Sequence, residues 1–280
     1  MLKALTLTLH PHIKKHVPVL CTHLKTHGAI PRAVQSIKDA VPHYQFVFKS
    51  DVKGFYESIN HSVLMRQLAQ ICECPTLLTL MKSFLEHTEE FGGLYNTLTK
   101  GISKSCPLSP LLGALYLSPL DKALEKLPVK YIRYMDDWVV LAKTRHPLRK
   151  AIKTANQILT QLKLEKAPDK TFIGRIKKTF EFCGFRFATE GVIGLAKKTQ
   201  ERFQNKVRML YEQGLKNPKP PKCNELKRYI KRFEGWISGI LGNSEKNQLI
   251  DKGACYGKRC EELYSWVSAN AGAKCIDITV

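Results

Sequence analysis

Between residues 43 and 51 the chain reads HYQFVFKSD, with Phe46 and Phe48 on one face and Val47, Lys49 and Asp51 on the other. A period of two predicts a strand that ends at Asp51. HSVLMRQLAQI (61–71) shifts to helical spacing, with Asn60 or Ser58 placed to cap it. LSPLLGALYLSPLDKALEKL (108–127) carries Leu108, Leu111, Leu112, Leu115, Leu120, Leu124 and Leu127 in one helical stripe, bent at Pro119. VKYIRY (129–134) and WVVLA (138–142) predict two strands, with Met135, Asp136 and Asp137 at their turn. PLRKAIKTANQILTQLKL (147–164) is a helix with Leu148, Ile152, Ala155, Leu159 and Leu162 inward, and TFIGRI (171–176) is a strand. The order β-α-β-β-α-β predicts an α+β fold of the ferredoxin-like, split-βαβ type. FEFCGFRF (180–187) adds an aromatic hairpin, and everything after about residue 195 reads helical, with the three prolines of NPKPPKC (217–223) as a linker between helices.

Charge narrows the partners. The 280 residues are 44% hydrophobic, enough for one large domain or two smaller ones, and 45 Lys and Arg stand against 24 Asp and Glu, a net charge of +21. A globular chain this basic meets a polyanion; nucleic acid is the first candidate and an acidic membrane surface the second. The excess is concentrated: residues 196–260 hold 16 Lys and Arg and 6 Asp and Glu, a net +10. KKTQERFQNKVRMLYEQGLK and ELKRYIKRFEGWISGIL read as amphipathic helices whose basic face suits duplex phosphates.

No apolar run approaches the roughly twenty residues of a spanning helix, so no membrane association through one is expected. The opening MLKALTLTLHPHIKKHVPVL starts like a leader but is broken by His10, Pro11 and His12. Nine cysteines are scattered without a CxxC pair, and neither CEC (72–74) nor Cys255 and Cys260 has zinc-finger spacing. Reduced cysteines in a cytoplasmic protein are the expectation.

The adjacent carboxylates of Asp136 and Asp137 sit between apolar strands. An Asp-Asp pair is often a solvated turn. In this topology, however, the first strand neighbours the central hairpin, and Asp51 ends that strand. Three carboxylates at one rim repel unless cations neutralise them. Mg2+ is the natural ion, and two such ions activate a hydroxyl and stabilise the leaving oxygen in phosphoryl transfer.

YMDD between strands, FKSDVKGFYESI before it and GISKSCPLSPLLGALYL between them resemble the reverse transcriptases, with the bacterial retroelement and group II intron type closest, over about residues 40–190. The resemblance implies RNA-directed DNA polymerisation with two Mg2+ ions, on an RNA template with a DNA or RNA primer and deoxynucleoside triphosphates; a structured non-coding RNA is a further expected partner. It assigns metal binding to Asp51, Asp136, Asp137 and the Val52 carbonyl. Tyr56 falls where the family places an aromatic gate against a ribose 2′-OH, with Phe55 as its rival. GISKSCPLSP matches the template- and nucleotide-contacting segment at Gly101, Ser109 and Pro110, with Lys104-Ser105 where the family usually has Gln-Gly. Lys104 reads either as a phosphate contact or as a solvated loop lysine. Lys170, in APDKTFIG, reads either as the proton donor to departing pyrophosphate or as a surface lysine at a strand end. The aromatic hairpin reads as a primer grip or as plain packing.

The implied domains are a reduced fingers region (1–42), a palm (43–190) and a basic helical thumb (191–280). LKTHGAIPRAV (24–34) is the fingers remnant, with Lys25 and Arg32 as triphosphate contacts or as part of a basic loop. The competing reading is a maturase-like RNA-binding protein that keeps the fold with weak or no catalysis.

Overall fold

The computed structural model describes residues 2–18, 21–24, 29–86, 88–104, 106–216 and 222–241. Helix α1 (Leu2–His16) is followed by α2 (Ala29–Ala40), strand β1 (Phe46–Ser50), the single turn α3 (Phe55–Ser58), α4 (His61–Ala69), α5 (Pro75–Leu85) and the hairpin β2 (Thr88–Phe91) and β3 (Leu94–Thr97). Next come α6 (Ser109–Tyr116), α7 (Ser118–Glu125), β4 (Lys130–Tyr134), β5 (Asp137–Ala142), α8 (Arg145–Gln161) and β6 (Phe172–Arg175). Strands β7 (Phe180–Phe182), β8 (Phe185–Ala188) and β9 (Gly191–Leu195) precede α9 (Lys197–Lys216) and α10 (Lys222–Ile237).

Two compact units result: residues 1–183 with 187–191, and residues 184–186 with 192–280. The first is built on an antiparallel sheet of order β4-β5-β1-β6, the order a ferredoxin-like fold requires. Both faces of this sheet are covered. Phe48, Trp138 and Val140 join the main core, while Val47, Val139 and Leu141, one residue out of phase, are buried on the other side. Burial on both faces is why WVVLA reads as an unbroken apolar run. Helix α8 packs on β5 and β1, and both α7 and α2 pack on β4.

Several local signals act as read. The Asn60 side chain accepts from Val63 N at 3.2 Å and caps α4. The long leucine stripe is two helices rather than one bent helix, with Leu117 between them and Pro110 and Pro119 each in a first turn, where proline's missing donor costs nothing. The N-terminal segment is a core helix: Leu5, Leu9, Ile13 and Val17 are buried at helical spacing, and Pro11 lies on its exposed side. Leu5, Leu9, Ile13, Val17, Cys21 and Leu24 thus share one core with Phe48, Trp138 and Val140 of the sheet. The aromatic hairpin gains β9 as a third strand.

In the second unit, α9 and α10 pack through Phe203, Val207, Leu210, Leu226 and Ile230, with Phe203 stacked on Phe233 at 4.0 Å. Lys198, Arg202, Lys206, Lys227, Arg228, Lys231 and Arg232 are exposed on the opposite faces. Lys25, Ser105, Cys255 and Cys260, together with residues 217–221 and 242–280, lie outside the described residues.

Candidate active site

The sheet register assembles the site. Ser50 pairs with Trp138, so one further step along each strand sets Asp51 beside Asp137. Tyr134 pairs with Asp137 and closes a two-residue turn of Met135 and Asp136. Met135 has φ +58°, a left-handed conformation that a side chain disfavours. Two contacts hold it. Arg133 Nη1 donates to the Met135 carbonyl at 2.6 Å, and the Met135 N–H donates to His23 Nδ1 at 3.2 Å.

The register brings the three carboxylates to one rim, where each disfavours the charge of the others. The carboxyl of Asp136 is pushed up to about 6 by burial, then by the charge of Asp51 and a hydrogen bond with it. Burial pushes Asp137 up to about 7; Lys49 opposes the shift, and Asp51 and Asp136 add to it. One oxygen of Asp137, Oδ1, is buried with no hydrogen-bond partner. Lys170, on the turn Pro168–Lys170 before β6, donates from Nζ to Asp51 Oδ2. That bond holds its ammonium more firmly protonated than usual. Val52 donates its N–H to Asp51 Oδ1 at 2.9 Å. The neighbouring chain is tied to residues 165–167 by bonds on either side of Val52, from Ala167 N to Asp51 O and from Lys53 N to Glu165 O. These bonds leave the carbonyl of Val52 out of the bridge.

Among the described residues no three carboxylate, histidine or cysteine side chains close around one point. The donor set still suits a hard divalent cation: the register brings three carboxylates to one rim, and Asp137 keeps an orphaned buried oxygen there. Lys170 supplies the positive charge on Asp51 in this arrangement.

Those upward shifts have a consequence for the metal-free protein. A carboxyl group whose folded pKa lies above its unfolded value gives stability that is present below about pH 4 and lost as pH rises through about 6 to 7. With chelator present, the melting temperature should fall from pH 5 to pH 8. Asp137→Asn should flatten that slope and raise stability at pH 8 by on the order of 2 kcal/mol. A slope unchanged by the substitution would show that Asp137 is already solvated or neutralised.

The aromatic pair separates cleanly. Phe55 is buried, 5.2 Å from the Tyr56 ring and 6.5 Å from Tyr116. A Cβ at Gly113 would meet Phe55 Cε1 at 2.9 Å, so glycine there lets α6 approach α3. Tyr56 is half-buried with Asp136 near it; burial first, then the Asp136 charge, pushes its hydroxyl up to about 12.

In the GISK loop, Gly101 has φ +94°, donates its N–H to Ile59 O at 2.8 Å and accepts from His61 Nε2 at 2.7 Å. Lys104 pairs with Glu57 at 2.5 Å, both well exposed. Ser109 is buried and its hydroxyl donates to the Ser103 carbonyl, while the Pro110 carbonyl accepts from His23 Nε2 at 3.0 Å. Ser109 and Pro110 thus act here as braces of the loop. Arg32 is exposed on α2.

Sequence reading missed two residues that hold the turn. Arg133 is fully buried and grips Asp121 with Nε to Oδ1 at 2.7 Å and Nη2 to Oδ2 at 2.5 Å, and Tyr131 OH also donates to Asp121 at 2.7 Å. A charged residue inside a strand and an aspartate within a leucine stripe were the available signals. His23 was the other. A backbone N–H only donates and a carbonyl only accepts, so its bonds to Met135 and Pro110 define a neutral ring with the proton on Nε2. No periodicity marks it.

This sheet, with acidic residues at the end of a central strand and at the adjoining hairpin, has the arrangement of a polymerase palm. A family model described as reverse transcriptase (RNA-dependent DNA polymerase) matches residues 1–187. The chain belongs to that family. Among solved structures, apo telomerase from Candida tropicalis aligns with TM-score 0.59 at 12% identity, over 97% of this chain and 51% of that one. Telomerase from Candida albicans, in complex with a fragment of telomeric RNA, aligns with TM-score 0.57 at 13% identity, covering 94% and 52%. The Sicinivirus 3Dpol RNA-dependent RNA polymerase aligns with TM-score 0.50 at 16% identity, covering 82% and 53%. At these identities the likeness is one of fold, and the chain spans about half the length of each of these proteins. Comparison with curated proteins gave no match.

Proposed function

We propose that this chain carries the catalytic core of an RNA-directed DNA polymerase of the bacterial retroelement and group II intron type, working in the cytoplasm. The observation that carries the reading is the sheet register, which brings Asp51 and Asp136, residues 85 apart in sequence, to the rim where Asp137 also stands. Asp51, Asp136 and the Val52 carbonyl are the groups that would hold two Mg2+ ions, with Asp137 behind them. When bound, such ions supply charge stabilisation at the attacking and leaving oxygens. The primer 3′-hydroxyl bonds to the α-phosphorus of a deoxynucleoside triphosphate, and the bond to diphosphate breaks. Lys170, its side chain 58% exposed, would give a proton to the departing diphosphate once its bond to Asp51 is released. Tyr56 would be the ring that excludes a 2′-hydroxyl; the burial of Phe55 in the core favours it over that rival. Lys104 keeps an exposed charge for a phosphate, in exchange with Glu57.

Extension of a primer on an RNA template in Mg2+, with deoxynucleotides and ribonucleotides compared, tests the reading. Tyr56→Ala should reduce discrimination against ribonucleotides by about tenfold or more, since a clash of even one methylene is worth about that much. Unchanged sugar preference removes Tyr56 as the gate. Tight RNA binding with no extension returns the maturase-like alternative.

A further inference from the structure

The end of β1 remote from Asp51 carries a second feature. A recess of about 390 Å3 opens there between α8 and β6. Its floor is apolar: Phe46, Leu148, Ile152 and Ile173, the last 50% exposed. Its rim is cationic: Arg145, Arg149, Arg175 and Lys178, all exposed, with no acidic residue in the lining. Among the described residues none of the four is paired with a carboxylate. The guanidinium of Arg145 lies over the Phe46 ring, 5.9 Å from its centroid.

Four like charges around an exposed apolar floor oppose one another unless an anion joins them. The lining points to the kind of anion: an apolar floor inside a cationic rim suits a ligand that is planar and apolar in one part and anionic beside it. Phe46 with Arg145 above it presents a flat surface of the kind on which nucleobases stack. We infer that this recess binds single-stranded nucleic acid, with one base against the apolar floor and the flanking phosphates on the arginines. It lies apart from the carboxylate rim, because the five residues of β1 separate the two by about 17 Å. A strand engaged at both places spans several nucleotides. The choice of nucleic acid as ligand rests on the polymerase reading; the recess itself does not.

The test uses the whole chain and a short uridine-rich oligonucleotide carrying 4-thiouridine. Crosslinks should map to residues 145–152 and 172–178. Arg149→Glu with Arg175→Glu should abolish those crosslinks, weaken binding about tenfold, and lower the salt slope of log K by about 1.4, the loss expected for two single-strand phosphate contacts. Arg149→Gln with Arg175→Gln should act in the same direction without reversing charge. Ile173→Gln should weaken binding with the salt slope unchanged. Extension of a short primer–template should stay at the wild-type level in all three. Absent crosslinks, or an acidic peptide that displaces the oligonucleotide and binds the recess more tightly, would overturn the inference. If crosslinks behave as expected but the wild type extends no primer, the recess stands and the polymerase reading fails. If the wild type extends a primer without crosslinks in the recess, the polymerase reading stands and the recess fails.

Discussion

Asp136→Asn is expected to leave the protein folded and to lower single-turnover nucleotide addition by about 10³-fold or more, a loss of several kcal/mol of transition-state stabilisation. The two halves of that result have one cause. Asp136 is pushed up to about 6 because burial and the Asp51 carboxylate both disfavour its charge. The folded protein therefore holds this anion at a cost, and the neutral amide relieves it. An anion kept against its environment is one that a cation at the site would exploit. Melting temperature in chelator should hold or rise, while kcat collapses. Extension within tenfold of wild type, at matched Mg2+, would remove Asp136 from the catalytic set.

Arg133→Met is expected to destabilise the protein by about 3–5 kcal/mol, because it leaves Asp121 buried and charged without a partner. At this chain length that is a fall of about 10 °C in melting temperature. Adding Asp121→Leu should restore most of the loss, since a buried ion pair replaced on both sides by apolar groups is often close to neutral. Activity should not return with it. Arg133 Nη1 holds the Met135 carbonyl at 2.6 Å, and Met135 keeps φ +58° beside Asp136. A double variant that regains stability yet stays slow, mainly in kcat, identifies Arg133 as a positioning residue. Full recovery of both would limit it to a structural role.

Pattern alone went furthest where burial is simple. The strand ending at Asp51 and the hairpin around Asp136 and Asp137 were legible because side chains on a sheet alternate and a turn punctuates apolar runs. The cap at Asn60 was legible because it acts within one turn. The N-terminal stretch reads only as a leader broken by His10, Pro11 and His12, and nothing local marks it as a core helix. Leu5, Leu9 and Ile13 find their partners only in the folded core.

For the site, the sequence by itself determined which residues carry negative charge, their order along the chain, and the β-α-β-β-α-β order that makes their meeting feasible. Only the tertiary structure decided the rest. It put Lys170 on Asp51, placed Tyr56 rather than Phe55 beside Asp136, and braced the turn with Arg133, Asp121 and His23. The reason is one of range. Periodicity records which side of an element avoids water, a local property. Hydrogen bonds across 112 residues, such as Met135 to His23, depend on where distant segments arrive, and no local pattern encodes that.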